Sequence, residues 1–290
     1  MTSAVRAASL LSVLLFACGD DGRRVARDAS AGDAGAPDLS SPRDFGPRRD
    51  LGEDLDDVIV WAHSPRELFA FDPRENTVTL VGTFLLPGGE GAEDMTDLAV
   101  DRDGNLVTCS FDNLFAVDPE TAQVTLIGPL DVSSDVRFNA LTFVPPGVLD
   151  PSAEVLIAAT AEGNTYRIDR STGATIPIGS FADGYGSSGD IVSVEGAGTF
   201  ATAFRDDLDS DWLVRLDPMT GAITPIGPTG SSRLFGLAYW RNQLYAFDSF
   251  GRLLAIDIDT GEATLTESDT GADLFFGAGV TTVAPTTPLI

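Results

Sequence analysis

Five fifteen-residue segments align without gaps along this chain, and that repetition limits the fold more than any other feature. They read LFAFDPRENTVTLVG from Leu68, LFAVDPETAQVTLIG from Leu114, TYRIDRSTGATIPIG from Thr165, LVRLDPMTGAITPIG from Leu213 and LLAIDIDTGEATLTE from Leu253. The fifth position is always aspartate: Asp72, Asp118, Asp169, Asp217 and Asp257. In each copy a short β-rich run ends at the aspartate, a tight turn follows, and a second run begins. A carboxylate at that point accepts hydrogen bonds from turn amides and fixes a hairpin. The ninth position is Gly173, Gly221 and Gly261 in three copies and Asn76 in a fourth, residues that enter the left-handed region cheaply. Ala122 departs from the pattern, which predicts a different turn in the second copy.

The aspartates are spaced 46, 51, 48 and 40 residues apart, about the length of one four-stranded propeller blade. Two further β-like runs precede each hairpin. The nearer begin at Val58, Leu106, Val155, Thr199 and Gln243. The farther begin at Asp97, Asn139, Asp190 and Gly236, and the missing fifth run is GAGVTTV from Gly277, at the other end of the chain. The expectation is an all-β, five-bladed β-propeller spanning 58–284, with residues 285–290 as a tail. Its first blade takes its innermost strand from the C-terminus, which closes the ring. The repeats resemble the propeller repeats of YVTN-type, NHL-type and quinoprotein-like proteins. They lack the late Trp of the quinoprotein pattern, which argues against a quinone cofactor. The resemblance implies architecture and leaves function open.

The N-terminus reads as a targeting segment. Arg6 precedes an apolar run from Ala7 to Ala17, too short to span a bilayer. Leu15-Phe16-Ala17-Cys18 resembles a bacterial lipobox, which implies cleavage after residue 17 and lipidation of Cys18. Gly19 rather than Asp follows Cys18, and this favours the outer membrane or cell surface over retention at the inner membrane. Residues 18–57 are rich in Asp, Arg, Gly, Ala, Pro and Ser and nearly empty of large apolar side chains, as expected of a disordered tether. The other cysteine, Cys109, lies in an apolar strand and reads as a small buried hydrophobe.

The net charge is −26, from 44 acidic residues against 18 arginines and no lysine. A nucleic-acid partner, which needs a basic footprint, is excluded. Channel-face chemistry would come from residues at the start of the inner strands, where Asp97, Asn139, Asp190, Gly236 and Gly277 align. Oxygen atoms of Asp97, Asn139 and Asp190 form one candidate Ca²⁺ site. A second lies in the acidic loop containing Asp207, Asp209 and Asp211, although Trp212 and Pro218 stand where an EF-hand needs Gly and Glu. The string Gly184-Tyr185-Gly186-Ser187-Ser188-Gly189 matches a dinucleotide fingerprint by letter, but a strand follows it rather than a helix. His63, the single histidine, excludes multi-imidazole metal sites and reads as structural.

No catalytic set is assembled by these residues, and the leading expectation is a non-catalytic propeller that binds a protein, small molecule or glycan on its channel face. A carboxylate-dependent hydrolase of glycosides or lactones is the alternative, with Asp97 and Asp190 as its pair. A purely structural envelope protein is the third reading.

Overall fold

The computed structural model describes residues 59–133 and 135–288. The signal segment at 1–17, Cys18 and the tether at 18–57 lie outside the described residues. Twenty strands form five four-stranded antiparallel sheets. Blade 1 comprises, from the axis outward, β20 (Gly277–Gly279), β1 (Val60–His63), β2 (Glu67–Asp72) and β3 (Thr77–Thr83). Blade 2 is β4 (Asp97–Val100), β5 (Leu106–Cys109), β6 (Asn113–Val117) and β7 (Val124–Pro129). Blade 3 is β8 (Phe138–Val144), β9 (Val155–Thr160), β10 (Asn164–Ile168) and β11 (Thr175–Ser180). Blade 4 is β12 (Gly186–Val194), β13 (Gly198–Phe204), β14 (Trp212–Leu216) and β15 (Ile223–Pro228). Blade 5 is β16 (Leu234–Trp240), β17 (Gln243–Asp248), β18 (Leu253–Ile256) and β19 (Ala263–Glu267). The five inner strands touch in the cyclic order β4, β8, β12, β16, β20 and back to β4. The expected closure is therefore present: Gly277, Ala278 and Gly279 pair with His63, Ala62 and Trp61.

The repeated hairpins join the third and fourth strands. In all five, the aspartate Oδ1 accepts the amide two residues on, at 2.8 Å for Asp72, Asp118 and Asp169, 2.9 Å for Asp217 and 3.0 Å for Asp257. The ninth residue has positive φ every time, including Ala122 at 59°. The second turn is thus the same as the others, against expectation. Ala122 N–H donates to Asp118 O at 2.8 Å, as Gly173 and Gly221 donate to their own aspartates. The turn's hydrogen bonds outweigh the cost of about 1–2 kcal/mol that a left-handed alanine carries.

Apolar side chains sit between blades rather than within them. One cluster joins blades 1 and 2 around Trp61, Met95 and Phe115, and another joins blades 2 and 3 around Cys109, Phe138 and Phe143. Blades 3 and 4 share Ile157, Phe181 and Val214, while Phe71, Phe247 and Phe275 pack blades 5 and 1 together in a cluster that also takes in Phe200 of blade 4. Each such side chain contributes roughly 1.5–3 kcal/mol of burial.

The outer rim has its own lock. The fifteenth residue of four repeats is glycine, and a Cβ there would meet a threonine carbonyl in the next blade's turn. The separations are 3.2 Å from Gly82 to Thr121, 2.5 Å from Gly128 to Thr172, 1.9 Å from Gly179 to Thr220 and 2.0 Å from Gly227 to Thr260. Backbone meets backbone at these points, so neither side can give way easily. Gly179→Ala should therefore destabilise the fold by about 1–3 kcal/mol, measured by urea unfolding. Gly91→Ala, where nothing lies within 4 Å, should change stability by less than about 0.5 kcal/mol. Equal effects would refute the rim contact.

Candidate functional site

Each inner strand has one edge paired within its blade and the other facing the axis. The amides on that free edge need acceptors, because buried unpaired N–H groups are costly. Asp97 and Asp190 supply them. Asp97 Oδ1 accepts Leu98 N–H at 2.8 Å, and its Oδ2 accepts Leu141 N–H at 2.5 Å. Asp190 Oδ1 accepts Ile191 N–H at 2.6 Å, while its Oδ2 accepts Leu237 N–H at 2.5 Å and Ala278 N–H at 3.1 Å. These five donors come from five different blades. Both aspartates are 0% exposed.

The two carboxyls act on each other, and both being raised favours one proton on the pair. Burial pushes Asp97 well above the usual carboxylate range, and the neighbouring Asp190 charge pushes it further. Asp190 is raised by burial, against the lowering effect of its amide donors.

His63, at the end of β1, completes the cluster. Its Nδ1–H donates to Ser64 O at 2.8 Å, which leaves Nε2 as a lone pair 3.8 Å from Asp97 Oδ1. Nε2 has no hydrogen-bond partner among the described residues. Burial lowers the His63 pKa to about 4. Gly277 fills the gap: a Cβ there would lie 1.9 Å from Asp97 Oδ1 and 2.5 Å from His63 Nε2. The ring position reads Asp97, Ala140, Asp190, Gly236 and Gly277, two carboxyls with three small residues that leave them room.

The alignment made from sequence placed Asn139 in this ring, and the structure places Ala140 there instead. A bulge between Phe138 and Ala140 inserts Asn139, which turns its amide to Ser187 O at 3.1 Å. The three expected oxygen donors are thus split, with Asp97 and Asp190 together and Asn139 apart. The acidic loop is divided as well. Asp207 pairs with Arg205 at 2.5 Å, and that guanidinium lowers its pKa. Asp209 is exposed. Asp211 is buried, accepts Ser188 Oγ at 2.5 Å and Leu234 N–H at 2.9 Å, and is raised by that burial. Among the described residues, no group of three or more His, Cys, Asp or Glu side chains is placed to hold a metal ion. Cys109 is buried beside Thr96, with its thiol pushed up to about 11.

Sequence reasoning missed His63 as a member of the cluster. The signal was there in the column of small residues facing two aspartates. It also missed the segment after β20, which crosses the end of the channel where the inner strands finish. Thr281 bridges to Val100, Thr282 O accepts Glu195 N–H at 2.8 Å, and Pro285 O accepts Arg241 N–H at 2.7 Å. Thr282 Oγ1 donates to Glu154. Four blades are tied by this strap, which closes that end.

The titration of the cluster has a definite sign. The folded pair keeps a proton that an unfolded chain releases above the ordinary aspartate value of 3.8. Its contribution is present below that value and declines as pH rises. His63 acts oppositely: its contribution is present above 6.5 and is lost as pH falls toward 4. The stability advantage of wild type over Asp97→Asn, which cannot ionise, should therefore shrink as pH rises above 3.8, by at most about 1.4 kcal/mol per pH unit, with the His63 contribution common to both proteins. A difference independent of pH would contradict the shared proton.

No protein-family model matches the chain, and no curated protein matches it. Among solved structures it is similar to the computationally designed Ika8 protein, at 16% identity and a TM-score of 0.34 over 75% of this chain and 60% of that one. It is also similar to the Dos1 propeller, at 14% identity and a TM-score of 0.40 over 72% of this chain and 56% of that one. A chain of a nidogen–laminin complex is 11% identical, with a TM-score of 0.48 over 77% of this chain and 97% of that one. At these values the likenesses carry no argument about activity, and the propeller rests on the strand pairing described above.

Proposed function

We propose that this chain is a non-catalytic binding propeller, held at the cell envelope by a lipid on Cys18, whose ligand or partner engages the face where the inner strands begin. The observation that carries the reading is the state of Asp97 and Asp190. Hydrolysis by a carboxylate pair needs substrate and water to reach both groups. Here both are 0% exposed and their oxygens are taken by five amides. The pair serves as an axial fastening. The strap of residues 280–288 covers the opposite end, which leaves the entry-side loops as the accessible face of the axis. A net charge of −26 supports an exported protein kept soluble and away from nucleic acid.

The test is full-length expression in a Gram-negative host fed labelled palmitate, followed by assay of the purified protein. Label should be incorporated and should disappear in Cys18→Ala. A panel of aryl glycosides and lactones should show no turnover. Turnover abolished by Asp190→Asn in a variant that still folds would restore the hydrolase reading, and an unlabelled wild type would refute the anchor.

A further inference from the structure

Each blade ends in an outer strand with no strand on its second side, and the outward N–H and C=O groups of such an edge are open to pairing with another chain. Four of the five edges are blunted. Pro177 in β11 and Pro225 in β15 stand at the thirteenth position of their repeats. Both keep their pairing with the third strand, to Tyr166 and Val214, although proline has no N–H to give. The amide at this position therefore points away from the blade. The eleventh position shares that side, because backbone groups alternate along a strand. There Val124 of β7 and Ala263 of β19 donate to Leu85 O at 2.8 Å and Thr229 O at 3.0 Å, carbonyls supplied by the connection from the preceding blade. β7 then ends at Pro129 and β19 at Glu267.

Strand β3 has none of these devices. It is the longest of the outer strands and reads TVTLVGT, with neither proline nor charge. Leu80 pairs with Phe69 in the register that Pro177 and Pro225 keep, so its N–H faces outward. The N–H of Val78, at the eleventh position, has no acceptor on that side among the described residues. Leu80 is 53% exposed, and Thr77, Thr79 and Thr83 are exposed beside it. Both ends of the strand are acidic. Glu75 is exposed in the turn before it, and Gly82 near its end lies against Thr121 of blade 2, next to exposed Glu120. Glu267 stands at the position whose glycine meets the next blade's turn in the other four seams, and the next blade here is blade 1. The arginines of this blade are already paired, Arg74 with Asp72 at 3.0 Å and Arg66 with Asp94 at 2.9 Å.

We infer that β3 is a docking edge for an extended segment of another protein, in which a β-branched core is flanked by basic residues. Main-chain hydrogen bonds to Val78 and Leu80 supply the affinity, as in other cases of strand addition to a sheet edge. The acidic ends select the flanks by charge. A second copy of this chain is the poorer occupant. Pairing β3 with itself about Leu80 brings Glu75 of one copy to the Glu120 end of the other, and two molecules of charge −26 repel. The edge lies on the rim, so the inference is independent of what the entry-side face binds.

The probe is a synthetic peptide reading Lys-Arg-Val-Thr-Val-Thr-Val-Arg-Lys, with the same core between glutamates as its control. Binding to the full-length chain is measured by calorimetry, and self-association by sedimentation. The basic peptide should bind, and the glutamate-flanked one should bind about tenfold more weakly or not at all. Leu80→Pro gives blade 1 the residue that blades 3 and 4 carry at this position. It should weaken binding about tenfold or more while leaving the melting temperature within a few degrees of wild type. Leu265→Pro on the blade 5 edge should leave binding unchanged. Charge reversal by Glu75→Arg with Glu120→Arg, which leaves β3 itself intact, should turn the preference toward the glutamate-flanked peptide. Basic-peptide binding that survives Leu80→Pro would be general attraction to an acidic protein and would overturn the inference, as would no binding. A wild-type dimer that Leu80→Pro separates would overturn the choice of occupant.

Discussion

A ring of blades leaves the free edge of every inner strand facing the axis, and the rest of this structure depends on how those edges are satisfied. Two aspartate side chains do it. Amides from Leu98, Leu141, Ile191, Leu237 and Ala278 end on four carboxyl oxygens that are out of contact with water. Two full negative charges packed together would repel, and one proton on the pair reduces that charge to one. Hydrogen bonds to an ionised acceptor are about twice as strong as neutral ones. Removing one aspartate would orphan amides in several blades at once.

This fastening explains features that otherwise look unrelated. Gly236 and Gly277 lie where the inner strands of blades 5 and 1 come so close that a Cβ on Gly236 would be 2.9 Å from the Gly277 carbonyl carbon. Gly277 also lies between His63 and Asp97, where no larger residue fits. The closing strand β20 is only three residues long, and Asp190 and the strap after it supply the remaining hold. At the rim, glycine on one blade meets a threonine carbonyl on the next in four of the five seams. The fifth seam has Glu267 at that position, so the junction of blades 5 and 1 relies more on the axis and on the Phe71, Phe247 and Phe275 cluster.

The fold was legible in the sequence because its punctuation is local. An aspartate capping a turn and a left-handed ninth residue act within a few residues of each other, so their spacing survives in the letters. Ala122 shows the limit of that reading, since hydrogen bonding imposed the turn on a residue that does not favour it. The site was legible in part. Asp97 and Asp190 stood out by alignment, but Asn139 was placed one position wrong because bulges answer to packing between blades and leave no fixed signature. His63 reaches the cluster only through a strand pairing more than 200 residues apart in sequence, and nothing local to Ala62-His63-Ser64 announces it.

Two aspartates shared among five strands should make the five axial amides act as one unit. Hydrogen exchange measured by NMR on wild type and Asp190→Ala tests this directly. In wild type, Leu98, Leu141, Ile191, Leu237 and Ala278 should exchange together and as slowly as global unfolding allows. In the variant, Ile191, Leu237 and Ala278 should lose protection in concert, although they belong to three different blades. Independent exchange blade by blade, or protection that survives the loss of Asp190, would show that the blades hold together without the axial carboxylates.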